Sequence, residues 1–230
     1  MANDPGAFDL FIDDVKQAWG DEVEIQAAID AMGAGTVELL EGTFNIYDTI
    51  VIDGKTITLE GQGMLASRLL QKAAVDIVEF KGSITFPIVR DLDIQGDHAL
   101  ATGNGITVTG DLVLDLIVRD IFVWYMPGLG IYVPTGGWGH VYDNVILEYC
   151  KGIQLQINAG ARIKGCKFGA NELATDKTLL YLGSANITTD CQFFASKGTG
   201  VGEAQVKIQA GNNIFSNNSF FNIDTGTAAR

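Results

Sequence analysis

Arg90, Arg119, Asp143 and Lys164 fall at one position in successive copies of a short repeat, followed there by Thr189 and Ser216. Two cations side by side need a counter-charge or an anionic ligand, so the column reads either as a surface salt-bridge ladder, with Asp143 placed to neutralise Arg119 and Lys164, or as a subsite for an acidic sugar. Cleavage of a glycosidic bond asks instead for two carboxyl groups, about 5–5.5 Å apart for retention or about 6.5–9.5 Å for inversion. Asp93 and Glu148 are the acids of the neighbouring columns, and two repeats plus an offset along the strand put them on the order of 12 Å apart, beyond that range. Calcium-assisted elimination needs clustered carboxylates for the ion and an Arg or Lys base; Asp93, Asp97 and Asp143 with Arg119 are the residues available for it. A third group is apolar: Phe122, Trp124, Tyr125, Met126, Trp138, Ile146, Phe194 and Phe221 point to an interface or a sugar-stacking platform.

These columns follow from one unit, Ile88-Val89-Arg90-Asp91-Leu92-Asp93-Ile94, whose variants return five times before the C-terminus. Its Asp, Asn or Gly anchor stands at 91, 120, 144, 165, 190 and 217, a period in the 20–50-residue range with ragged loops. Those residue types tolerate left-handed backbone, so the anchor is a tight turn with a short strand on each side. Inward positions then stack from repeat to repeat. One column reads Leu92, Ile121, Val145, Cys166, Cys191, Asn218, and the next reads Ile94, Val123, Leu147, Phe168, Phe193, Phe220. A unit of this size buries its apolar face only against its neighbours, which predicts a parallel β-helix of about seven or eight coils rather than a sandwich with turns every 8–12 residues.

With 230 residues, 47% hydrophobic and 19% charged, one elongated domain suffices. A net charge of −13 disfavours duplex nucleic acid and anionic membrane as partners. No apolar run approaches a membrane span, and Met1-Ala2-Asn3-Asp4-Pro5 lacks the basic flank and apolar stretch of a signal peptide, so a soluble chain is expected. The three cysteines form no metal-binding pattern, and Cys166 with Cys191 reads as a stacked pair of buried thiols. Helical spacing of Phe8, Phe11, Ile12, Val15 and Trp19 predicts one helix before Gly20. A second is expected over Glu22–Met32, with Asp21 and Glu24 as a capping box. Together residues 1–33 are read as a helical cap on the open end of a β-helix spanning 34–230, and strands are expected at Thr36–Leu40, Thr43–Ile46, Thr49–Ile52 and Thr56–Leu59.

Ile25-Gln26-Ala27-Ala28-Ile29-Asp30-Ala31, Gly35-Thr36-Val37-Glu38-Leu39, Glu41-Gly42-Thr43-Phe44 and Ile57-Thr58-Leu59-Glu60-Gly61-Gln62-Gly63 together resemble the entry segment of the pectate-lyase-like superfamily. The resemblance implies an all-β, right-handed parallel β-helix of the kind found in polysaccharide lyases, glycoside hydrolases and bacteriophage tailspikes. Within it, Gly139-His140 followed one coil later by Arg162-Ile163-Lys164 is similar to two polygalacturonase motifs in their family order, which implies a sugar contact by His140, Arg162 or Lys164. Val141 stands where that family has a second glycine, and neither Asn-Thr-Asp nor a coil-borne Asp-Asp precedes the pair.

The expectation is a tailspike-like structural or carbohydrate-recognising protein, assembled as a homotrimer, on a virion or outside the cell, with a polysaccharide or cell-surface glycan as partner. The alternative is a polysaccharide lyase or glycoside hydrolase acting on an acidic polysaccharide. Its catalytic candidates are Asp93, Arg119, Asp143 and His140; the substrate-binding candidates are Arg90, Arg162, Lys164, Trp124 and Trp138. No cofactor or metal is implied, calcium entering only with lyase chemistry.

Overall fold

The computed structural model describes residues 9–12, 20–134, 137–158, 160–169, 178–196, 206–209 and 211–223. Each turn anchor adopts the left-handed conformation expected of it: φ is 56° at Asp91, 51° at Asp120, 52° at Asn144, 62° at Gly165, 56° at Asp190 and 51° at Asn217. The chain bends there, so one strand pairs on two faces of the same coil. Ile88–Gln95, Ile117–Trp124 and His140–Glu148 run through their anchors as single bent strands. In the following coils the bend separates Ala161–Lys164 from Lys167–Gly169 and Ile187–Thr189 from Gln192–Ser196.

The described strand pairings are parallel, as a solenoid requires. The two limbs beside the anchors belong to one sheet, and a separate seven-stranded sheet closes the coil. That sheet stacks Ile50–Asp53, Val78–Lys81, Ile106–Val108, Ile131–Val133, Leu155–Ile157, Leu180–Leu182 and Val206–Ile208, giving seven coils. The limb before the anchor will be called the first face, the limb after it the second face, and the separate sheet the third face.

Alternation drives the packing. In the first inward column Leu92, Ile121, Val145, Cys166 and Cys191 are buried, and in the second Ile94, Val123, Leu147, Phe168 and Phe193 are fully so. Phe168 and Phe193 stack with centroids 5.0 Å apart, and Phe193 on Phe220 at 4.7 Å, each such pair contributing about 0.5–1.5 kcal/mol beyond its buried area. Cys150, Cys166 and Cys191 are free, buried thiols.

Two expectations at the start of the chain are overturned. Asp9–Ile12 forms a strand paired with Ala34–Leu39 where a helix was expected, because an edge strand leaves backbone groups that a further strand satisfies; the rest of that expected helix lies outside the described residues. The helix Glu22–Ala31 is present, but Asp21 makes no side-chain cap. Its carboxylate instead accepts the backbone and side-chain N–H groups of Asn45, and Glu22 accepts from Tyr47 N at 3.1 Å. The helix buries Ile25, Ala28 and Ile29, and the Gln26 amide pairs with both the N–H and C=O of Val51, an edge residue of the third face.

Candidate functional site

The nine candidate residues divide between two faces. On the first face the register aligns Glu60, Arg90, Arg119, Asp143, Lys164 and Thr189 in one outward column. Arg90 is committed to Glu60, which accepts from both its Nε and Nη2, and it lies 3.8 Å from Asp91. Arg119, Asp143 and Lys164 are exposed, and among the described residues no ion pair joins Asp143 to either cation, so the expected neutralisation is not formed. Arg162 stands in the adjacent outward column, in register with Val141 and Ile187, and is exposed too.

A cavity of about 350 Å³ opens beside that column, lined by Trp138, His140, Gly160, Arg162 and Ile187 among others. The Trp138 ring is 60% exposed and rests on Gly160, where a Cβ would come within 2.8 Å of Cε3. His140 lines the cavity from beneath and is fully buried there. Trp138 and Arg162 are exposed at the cavity, and Arg119 and Lys164 are exposed in the neighbouring column.

Asp93 and Trp124 sit on the second face and engage each other. Trp124 Nε1 donates to Asp93 Oδ1 at 2.6 Å, and Arg68 Nε donates to Oδ2 at 2.6 Å. The Asp93 side chain is fully covered, against the expectation of an exposed outward acid. Burial raises its carboxyl above the ordinary value, and the hydrogen bonds and charge of Arg68 and Trp124 hold it back. Trp124 is packed in turn: Phe122 stacks on it at 5.2 Å, Tyr125 leans on it at 4.7 Å, and the Arg68 guanidinium lies 5.6 Å from its centroid. It is a half-buried ring in a packed aromatic layer. The layer continues with Lys167, which pairs with Glu148 at 2.6 Å and sits 5.3 Å over Phe194.

Sequence reasoning missed the two partners that decide these assignments, Glu60 for Arg90 and Arg68 for Asp93. Both belong to early coils whose loops differ in length from the later ones. It also missed the third face, where Glu79, Thr107, Tyr132, Gln156, Tyr181 and Lys207 form one outward column. Its signal was present in Gly105-Ile106-Thr107-Val108 and Gly130-Ile131-Tyr132-Val133, a second repeat running out of phase with the turn anchors. Among the anchors, Asp120 accepts from Asn144 Nδ2 at 2.7 Å, and Asp91 has its carboxyl raised by burial and by the Asp120 charge. Among the described residues no three His, Cys, Asp or Glu side chains converge to hold a metal ion, and no helix is long and apolar enough to cross a membrane.

No protein-family model matches the sequence, and no curated protein matches it. Solved structures do. The A-module of the Azotobacter vinelandii mannuronan C-5 epimerase AlgE4 superposes with a TM-score of 0.59 at 15% identity, over 87% of this chain and 73% of that one. The fold it shares with this chain is the right-handed parallel β-helix. The catalytic domain of a GH87 α-1,3-glucanase in complex with tetrasaccharides gives the same TM-score at 14% identity, over 96% of this chain and 40% of that domain. The chain thus spans about three quarters of the first and two fifths of the second, and at such identities the likeness is one of fold.

Proposed function

We propose that this β-helix recognises an acidic polysaccharide or cell-surface glycan along its first face. The observation that carries the reading is the grouping of Arg119, Arg162 and Lys164, exposed and outside any ion pair described, beside the Trp138 cavity of a chain whose net charge is −13. Positive side chains cluster there against the overall charge, and an exposed indole next to them supplies a stacking surface for a sugar ring. Isothermal titration against a polyuronate and an uncharged polysaccharide tests it. Preferential binding of the polyuronate is expected, weakening with salt as exposed charges are screened and falling at least tenfold in an Arg119→Ala/Arg162→Ala/Lys164→Ala variant. Equal affinity for both polymers, indifferent to salt, would refute it.

The same reading is tailspike-like: copies associate as a homotrimer through the half-buried aromatic layer of the second face, and a virion or extracellular location suits such an assembly. Sedimentation equilibrium at several concentrations measures this. Phe122→Ala and Trp124→Ala lower the solution mass if the layer is the contact, and an unaltered mass in both variants removes that part of the proposal.

One observation favours an enzyme instead. Asp91 and Asp120 are turn anchors one coil apart, about one strand spacing, with the Asp91 carboxyl raised. Such a spacing is near that of a retaining carboxyl pair. Loss of polysaccharide cleavage in Asp120→Asn, with folding intact, would support it; absence of cleavage by the unaltered chain would end it.

A further inference from the structure

A second cavity lies away from the cationic column, at the end of the second face. It holds about 470 Å³ and is lined by Gln71, Lys72, Gln95, Gly96, Asp97 and Tyr125 among others. Its floor is built, not incidental. Gln71 is only 1% exposed, and its amide donates to the carbonyls of Val75 at 2.7 Å and Thr102 at 3.3 Å while accepting from Asp97 N at 3.3 Å. Gly96 lets the next coil close against it, since a Cβ would come within 2.5 Å of the Tyr125 carbonyl.

One wall carries Tyr125, which Tyr149 backs. Tyr125 and Tyr149 occupy the left-handed region, at φ 55° and 59°, which costs a bulky side chain energy and persists where surrounding contacts enforce it. Their rings stack at 5.4 Å, and His98 sets its edge on Tyr125 at 5.2 Å. The loop bearing His98 is strapped over these coils: the His98 Nε2 lies 2.5 Å from the Tyr149 carbonyl, and Lys151 Nζ donates to the His98 carbonyl at 2.6 Å. Around the rim stand an amide at Gln95, an ammonium at Lys72 and a carboxylate at Asp97, so donors and acceptors alternate and the charges balance.

We infer that this cavity is a second carbohydrate site, for an uncharged pyranose unit of one or two rings. A ring of this kind has an apolar face to set against Leu70 and Tyr125 and hydroxyls that both donate and accept, and the volume falls in the range of small-ligand pockets. Lys72 and Asp97 offset each other at the rim, so this site lacks the positive excess of the first face and gives an anionic sugar no preference. The chain then carries two glycan sites of different charge preference on different faces, and neither requires the other.

The test is titration with uncharged gluco-, manno- and galacto-configured disaccharides, followed by saturation-transfer NMR and calorimetry on the whole chain. Binding of at least one of them in the millimolar range or tighter is expected, unchanged by raised salt and by the Arg119→Ala/Arg162→Ala/Lys164→Ala substitutions. Gln95→Ala and Lys72→Ala, at partly or fully exposed side chains that need not disturb folding, should each weaken it at least fivefold while polyuronate binding persists. No saturation transfer from any of the three disaccharides overturns the inference, as does binding that disappears in the triple variant.

Discussion

Removing Arg68 isolates the question of what Asp93 is for. In Arg68→Met the Asp93 carboxylate keeps its Trp124 hydrogen bond but loses its counter-charge while staying covered. Breaking a fully buried pair by removing one partner costs about 3–5 kcal/mol. Here Arg68 is 30% exposed, so water screens part of the interaction and about 2 kcal/mol is the appropriate loss, with up to about 1 kcal/mol more from the cation–π contact on Trp124. For a chain of 230 residues that lowers the thermal midpoint by about 5–10 °C, measurable by circular dichroism. The pH dependence supplies the sharper test. Burial already raises the folded Asp93 value and Arg68 holds it down, so the variant raises it further. A carboxyl with a raised folded value contributes stability that is fully present below its unfolded value and is lost as pH rises through the folded one. The deficit of Arg68→Met relative to the unaltered chain should therefore shrink on acidification, and Arg68→Met/Asp93→Asn should regain part of the loss at neutral pH. A loss below about 0.5 kcal/mol, or a deficit that widens in acid, would refute the account of Asp93 as a structural carboxylate.

Three further outcomes are expected. Asn144→Ala removes both a left-handed preference and the bond to Asp120, and should destabilise by about 1–2 kcal/mol in urea titrations, whereas Asn144→Gly should cost less. Burial pushes the Cys150 thiol up to about 12, and Cys166 and Cys191 are 1% exposed, so an aromatic disulfide reagent at pH 8 should find no reactive thiol in the folded chain and three after denaturation. His98 is lowered by burial, with Lys151 adding to the effect, so folding opposes its protonation; stability is lost as pH falls through the unfolded histidine value, and His98→Gln should flatten that acid limb in pH-dependent melts.

The solenoid was legible because its determinants are local and periodic. Asp91, Asp120, Asn144, Gly165, Asp190 and Asn217 each take the left-handed turn that their residue types tolerate, and the two inward columns follow from strict alternation on either side. One anchored register aligns the limb before the anchor from Ile88 onward, which is why Arg90, Arg119, Asp143 and Lys164 do share a column.

Which outward side chains are free was decided by tertiary structure alone. Arg68 reaches Asp93 and Glu60 reaches Arg90 across coils of unequal length, and a ragged loop hides such a register from any fixed period. Exposure depends on neighbours that the repeat does not specify: Asp93 and His140 lie in the expected strands yet are covered, one by Trp124 and Arg68, the other beneath the Trp138 cavity. The strand Asp9–Ile12 shows the same limit, since an apolar pattern fitting a helix yields where an unpaired sheet edge offers backbone hydrogen bonds. Sequence determined the coil; the stacking of unequal coils determined which residues remain to do chemistry.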